Sequence, residues 1–298
     1  MKFLLTPKSD FVFKIMFTAD TETLADLITS ALKLPEDRRI RSVTVKNPIL
    51  PGEKEIRQKY IVLDILATDE AGNHYDIEMQ VRRYSFYPKR MLFYLSRVYT
   101  GQLERGKDYG LLSPVIGIHF LDYELFPDHK EFRYCFDLRD ARYPKLKLTD
   151  DMCLYIFELP KFEKKIKKMK TRRLRDSLSE WLYFFNHADE EGDETMRTHY
   201  RNPSVHKAFG VLEALSADEE TRRLAEIREQ SMINEMYELA AARKEGEKTG
   251  EKRGEKRGKK KRDDEIALKM LNDGMDPEVI MKYTGLSTGE IGGLKKQS

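Results

Sequence analysis

The chain has 298 residues, 40% of them hydrophobic and 35% charged, with a net charge of +3. That length and apolar content provide for a sizeable folded core and exclude a disordered chain. Its two cysteines, Cys135 and Cys153, lack CxxC spacing or a histidine cluster, which argues against a disulfide framework or a zinc site. The apolar stretch of Met1–Pro7 is too short for a signal peptide, and no run approaches the roughly 20 apolar residues of a membrane span, so a cytoplasmic chain with no membrane partner is expected.

Thr6-Pro7 reads as an N-cap followed by a first-turn proline, opening a helix through Asp10–Phe17 that sets Asp10 and Lys14 four apart on one face. A second helix over Thr21–Leu34 carries Leu24, Leu27, Ile28, Ala31 and Leu32 at helical spacing, and Val43–Leu50 is a short extended segment. Two strand-like runs follow, Tyr60–Ala67 and Tyr75–Val81. The stretch between them, Thr68–His74, has the Gly and Asn of a hairpin loop, which predicts antiparallel pairing. Pro88 starts a helix to about Leu103 with the apolar stripe Met91, Leu92, Leu95, Val98 and Tyr99, while Arg90, Tyr94 and Arg97 share another face. Three β-rich runs come next, Pro114–Leu125, Phe132–Leu138 and Leu154–Leu159. This order argues for an α/β fold, a mixed sheet covered by helices.

Residues 171–186 read as a helix and Asp189–Glu194 as an acidic loop. Ser216–Glu219 matches a capping box opening a long helix with Leu224, Ile227, Ile233, Met236 and Ala240 near one stripe, a surface for the domain or for a second copy of the chain. Glycine then recurs every fourth residue at 246, 250, 254 and 258. Each glycine costs a helix about 1 kcal/mol relative to alanine, so a flexible or marginally helical tether is expected. Lys244–Arg262 has ten Lys or Arg against four Glu, a surplus of six that leaves −3 for the rest of the +3 chain. Lys252, Arg253, Lys256 and Arg257 are therefore candidate nucleic-acid contacts, with a solvated linker the alternative. Asp263–Leu294 reads as three short helices with Gly274 and Gly285 at the turns, like a helix-turn-helix. Short three-helix units of this kind also serve packing or oligomerisation.

Asp64 stands in the middle of the apolar run Tyr60–Ala67, where a carboxylate costs several kcal/mol, roughly, unless a charge or a metal compensates it. Strand alternation puts Glu78 and Gln80 on one face and Ile77, Met79 and Val81 on the other. If Asp64 faces the same way, two carboxylates and an amide converge. That set suits a hard divalent cation, which polarises a phosphodiester and lowers the pKa of bound water. Gln80 can hold water but cannot act as a base. Lys14 or Arg90 can neutralise charge on a phosphate. From spacing alone, an ion pair of Asp64 or Glu78 with Lys59, Arg82 or Arg83 competes with the metal. Asp10 and Lys14 equally fit a solvent-exposed pair, Arg90 and Arg97 fit surface charges, Tyr94 fits the core, and His74 has no metal-spaced partner.

The ordered segments Thr6–Lys14, Leu63-Asp-Ile65, Ile77-Glu-Met-Gln80, Arg90–Tyr94 and Tyr99–Tyr109 resemble the Rpn-type recombination-promoting nucleases, also described as PD-(D/E)xK nuclease family transposases, over about residues 1–245. The resemblance implies a restriction-endonuclease-like core; with the residue patterns above, the chain is expected to divide into that core over 1–165, a helical extension over 166–243, the basic Gly-repeat tether over 244–262 and the small module over 263–298. It implies Mg²⁺-dependent (or Mn²⁺-dependent) DNA endonuclease activity in recombination, mobile elements or phage defence. Carried over, Asp64 is the first metal-binding acid, Glu78 the acid of the (D/E)xK element, and the Met79 main-chain carbonyl a further ligand. Gln80 stands where the wider superfamily has lysine, and Asp10 matches the acid of the first helix; Arg90 and Arg97, by their charge alone, are candidate nucleic-acid contacts. Two other classes remain open: a catalytically inactive nuclease-fold protein that binds DNA through its basic tether and C-terminal helices, and a scaffold self-associating through the 217–243 helix.

Overall fold

The computed structural model describes residues 4–47, 65–169, 174, 176–190 and 200–295, and divides into one unit ending at Ser231 and a second from Met232 onward. The first unit is built on a six-stranded mixed sheet ordered β1-β2-β3-β4-β6-β5, from β1 (Val43–Val45), β2 (Ile65–Asp69), β3 (His74–Gln80), β4 (Val115–Leu121), β5 (Arg133–Asp137) and β6 (Met152–Glu158). The hairpin expected between β2 and β3 is present and antiparallel, with Ile65 opposite Ile77. Its turn is held by the Asp69 side chain, which accepts from the Ala71 and Asn73 amides at 3.0 and 2.8 Å, and Gly72 supplies the positive φ of +88° that the reversal needs. β3, β4 and β6 are parallel, and β5 returns antiparallel at the edge.

Alternation along the strands sorts the two faces. Tyr75, Ile77, Met79, Ile118, Phe120 and Phe157 join the main core with α1 (Asp10–Ala19) and α2 (Thr21–Leu32). Its centre is an aromatic cluster in which the Phe13, Phe120 and Trp181 rings each lie within 6.0 Å of Phe185. The opposite face packs under α3 (Tyr87–Thr100), where Tyr87, Met91 and Leu95 meet Val115, Leu121, Leu154 and Ile156. The expected stripe is therefore right except at Leu92, which is 54% exposed; its place in the interior is taken by Tyr87, one helical turn before Met91.

The first helix starts at Asp10, later than the Thr6-Pro7 signal indicates. The Ser9 amide donates to the Thr6 carbonyl at 3.1 Å, closing a turn over residues 6–9 before the helix begins. Two helices were not legible by periodicity, α4 (Leu159–Lys167) and α6 (Pro203–Ala217), whereas α5 (Ser177–His187) falls inside the expected 171–186 span apart from its last residue. α6 also overturns the Ser216 capping box. Ser216 belongs to α6, where its hydroxyl donates to the Leu212 carbonyl and accepts from the Leu5 amide, and Asp218 caps α7 (Glu219–Asn272) through the Thr221 amide at 2.7 Å. Near its start α7 places Leu224 and Ile227 against the core, and Arg228 in a two-pronged pair with Asp10 (2.5 and 3.1 Å).

In the second unit the helix runs on through Gly246, Gly250, Gly254 and Gly258, where a flexible tether was expected. The residues between the glycines are strong helix formers, and Arg243 pairs with Glu247 four residues on at 3.0 Å, which offsets part of the glycine cost. α8 (Pro277–Thr284) and α9 (Thr288–Lys295) follow, turned by Gly274 and Gly285 at φ +75° and +71°, as read from the sequence. Ala267, Ile280, Leu286 and Ile291 form their small core. Ser287 and Glu290 make a reciprocal capping box, with the Ser287 amide donating to the Glu290 carboxylate at 2.9 Å. No helix among the described residues is long and apolar enough to cross a membrane.

Candidate active site

Glu78 and His119 occupy partnered positions on the adjacent parallel strands β3 and β4, both on the face covered by α3. Glu78 is half-buried and His119 is 1% exposed. The Tyr87 hydroxyl, at the first residue of α3, donates to Glu78 Oε2 at 3.0 Å and lies 3.2 Å from His119 Nδ1. With the phenolic proton committed to Glu78, Nδ1 must carry a hydrogen to complete that contact. His119 Nδ1 is also 3.5 Å from Glu78 Oε2, and Arg90 Nη2 is 3.5 Å from Oε1. The Arg90 guanidinium lies 5.6 Å from the ring centres of both Tyr84 and Tyr94.

Burial pushes the Glu78 carboxyl up, but the hydrogen bond and charge of His119, with smaller help from Arg90 and Tyr87, outweigh it and leave the group below the ordinary carboxylate value. Glu78 is thus an ionised carboxylate kept in a low-water setting by His119 and Tyr87, with a guanidinium at longer reach. Tyr87 moves the other way, because burial and the neighbouring Glu78 charge both disfavour phenolate; it stays a hydrogen-bond donor. His119 needs Gly117 two residues earlier. A Cβ there would come within 2.6 Å of Leu154 Cδ2 and 3.0 Å of His119 Nε2.

The C-terminal ends of the parallel strands carry a second polar group. The Asp122 amide, just past β4, donates to the Gln80 carbonyl at 2.9 Å, and the Asp122 carboxylate pairs with Lys8 at 3.1 Å. This contact brings the segment leading into α1 beside the end of β3. Open α/β sheets place their ligands at such strand ends. Gln80 is buried there, on the Glu78 face as its spacing requires, while Met79 points its side chain into the opposite core.

The structure brings together fewer of the expected residues than the spacing implied. Asp64 and Lys59 lie outside the described residues; Asp64 precedes Ile65, and Ile65 pairs with Ile77, the neighbour of Glu78. The cation beside Glu78 is Arg90, which is therefore engaged with a carboxylate and not a free surface charge. Asp10 and Lys14 are not a solvent-exposed pair. Asp10 is tied to Arg228, and Lys14 is buried on α1, which covers the sheet face opposite Glu78. Arg97 is exposed on α3, and Lys252, Arg253, Lys256 and Arg257 are exposed on α7. Tyr94 is half-buried against Arg90 and not in the core. His119, Tyr87 and the Lys8–Asp122 pair were missed. The signal for His119 was the same as for Asp64, a polar residue inside the apolar run Val115–Leu121.

Among the described residues no group of three or more His, Cys, Asp or Glu is placed to hold a metal ion. The oxygen chemistry nevertheless fits a hard divalent cation: Glu78 is ionised, and the positive charge now beside it stands 3.5 Å away, a distance that leaves the carboxylate open to a closer partner.

A family model described as PD-(D/E)XK nuclease family transposase matches residues 7–242. A second, described as the Rpn/YhgA-like nuclease family C-terminal HTH domain, matches residues 261–296. No curated protein and no solved structure matches the chain.

Proposed function

The chain belongs to the PD-(D/E)XK nuclease family transposases, and from that premise we propose that it is a Mg²⁺-dependent DNA endonuclease that hydrolyses phosphodiester bonds in recombination or in mobile elements. The observation that carries the reading is Glu78, a half-buried carboxylate on a central strand, held below the ordinary carboxylate pKa by His119, Tyr87 and an Arg90 guanidinium that comes no closer than 3.5 Å.

In this proposal the Asp64 and Glu78 carboxylates and the Met79 main-chain carbonyl hold Mg²⁺, with Mn²⁺ as a substitute. When bound, the ion polarises the phosphodiester and lowers the pKa of water. Tyr87 and His119 fix the Glu78 carboxylate so that one oxygen stays directed at the site. Gln80 orients water by its amide, and it neither takes the proton nor offsets charge. Arg90 neutralises charge growing on the phosphate, whereas Lys14, buried on the opposite side of the sheet, supports α1 and not the chemistry. Asp10 acts at a distance from the chemistry, by fixing the start of α1 to Arg228. Arg97 and the α7 residues Lys252, Arg253, Lys256 and Arg257 grip the backbone, and the 263–298 module adds a DNA contact of its own. The chain would then divide into a nuclease core (1–165), a helical extension (166–243), a basic tract (244–262) and the C-terminal module.

Plasmid nicking with and without Mg²⁺ tests the reading. The wild type should nick only with the ion, and Asp64→Ala should abolish nicking while the protein keeps its circular dichroism spectrum. Asp64→Ala protein that cuts as well as wild type would remove the site assignment. The Arg90–Glu78 pair also favours a second reading, an inactive nuclease fold whose carboxylate is permanently neutralised. In that case no divalent ion produces cleavage, and deletion of residues 244–298 removes DNA binding.

A further inference from the structure

From Arg82 to Gln102 the chain holds five Lys or Arg and no Asp or Glu, and most of this stretch is α3 with its lead-in. Its inner side is spent on the core and on Glu78. Its outer side carries Phe86, Leu92 and Phe93 at 74%, 54% and 62% exposure. Lys89, Phe93 and Arg97 fall four residues apart, so they form one row along the helix at a spacing of roughly 6 Å, a basic group on either side of an aromatic ring. Leu92 flanks that row. Phe86 precedes it in a left-handed backbone conformation, φ +62° and ψ 23°, which non-glycine residues rarely adopt. Its carbonyl accepts from the Lys89 and Arg90 amides, and the Lys89 ammonium lies 5.4 Å from its ring centre.

Burying Phe86 in the core would have been the low-energy choice. Instead the chain holds it outward in a disfavoured conformation, within reach of exposed cations. Exposed rings interleaved with unopposed positive charge are what unpaired nucleotides recognise: bases stack on rings, and phosphates meet Lys and Arg. A duplex hides its base faces and uses only the charges. The row starts beside Arg90, which touches Glu78, so a strand lying on it leads into the candidate site.

We infer that the outer face of α3 is a stacking platform for single-stranded nucleic acid, so that the substrate enters as an unpaired strand or a frayed end. This inference rests on the nuclease reading of the Glu78 site. The test is fluorescence anisotropy of the full-length protein in EDTA, with a labelled oligothymidylate and with a duplex of the same length. Phe93→Ala and Phe86→Ala should each weaken oligothymidylate binding by on the order of tenfold, and Phe93→Trp should restore it. Duplex binding should change less than about twofold, because its phosphate contacts remain. Equal losses on both probes, or no loss on either, overturn the platform while leaving plasmid nicking, and thus the parent reading, intact. A shift of Phe93→Ala to a smaller species in sedimentation, with oligothymidylate binding unchanged, assigns the face to a second copy of the chain and also overturns it.

Discussion

Replacing Arg90 with Met keeps most of the side-chain stem and removes only the charge beside Glu78. Removing one partner of a fully buried pair costs about 3–5 kcal/mol, whereas an exposed pair is worth about 0–1. Here the Glu78 side chain is 13% exposed, Arg90 is 32% exposed, and the contact is 3.5 Å long. Tyr87 and His119 continue to serve the carboxylate after the change. The expected loss is therefore intermediate, about 1–2 kcal/mol. Trp181 is the only tryptophan and is fully buried in the first unit, so its fluorescence in urea reports that unit alone. Without divalent ions Arg90→Met should unfold earlier than wild type. With Mg²⁺ at about 100 times its dissociation constant, an ion bound only to the folded state adds about 2.7 kcal/mol. The variant should take up Mg²⁺ more tightly than wild type, since no guanidinium competes, and its deficit should close or reverse. An equal deficit with and without Mg²⁺ would show that the ion does not meet Glu78. The absence of any deficit in EDTA would show that Arg90 does not compensate the carboxylate.

Glu78→Gln should alter the acid limb of stability in EDTA. The folded carboxyl lies below its ordinary 4.5, so its contribution is complete above that pH and fades as pH falls through the folded value; the Gln variant should lose this dependence below about pH 4.5, measured as urea midpoints across pH. Gly117→Ala inserts a methyl 2.6 Å from Leu154 and 3.0 Å from His119, and should destabilise by about 1–3 kcal/mol while cutting the nicking rate more than a distant change of equal cost, compared by melting and plasmid assay. Asp26→Ala removes the acceptor shared by Trp181 Nε1, Asn202 Nδ2 and Arg39 at 2.9, 2.6 and 2.7 Å, leaving the buried Trp181 and Asn202 donors unmet and the exposed Arg39 without this partner. A loss of about 3–5 kcal/mol is expected in denaturant titration.

What could be read in advance was what repeats locally. The β2–β3 hairpin followed from Gly72 and Asn73 between two apolar runs, and the start and buried face of α3 from Pro88 and the Met91–Leu95–Val98 stripe, although the helix ends at Thr100, short of the expected Leu103. The shared face of Glu78 and Gln80 needed only the two-residue period of a strand. What escaped depends on partners distant in sequence. Arg90 as the Glu78 cation, and Arg228 as the Asp10 cation, lie 12 and 218 residues away from their acids, separations that spacing rules do not reach. α4 and α6 escaped for a different reason. Each begins with a proline in its first turn, and Asn202 accepts from the Ser204 amide as an N-cap, the very signal credited at Thr6-Pro7, where the chain instead makes a turn. The glycine repeat shows the limit of propensity, since four costs of about 1 kcal/mol are spread over a helix of 54 residues that also has its neighbours' preferences to draw on.

The first unit is stitched end to start: the Leu5 amide is bonded to Ser216, and Asp10 is clasped by Arg228. A ribosome makes residues 5–10 first and residues 216–228 more than two hundred positions later. While the chain is being synthesised, α1 therefore waits without its clasp, although the sheet and α3 are already available to fold. A unit assembled in this order is finished only when its last helix emerges. Prematurely terminated products, which would carry Glu78 and its strand, lack the residue that fixes the helix on the other side of the sheet.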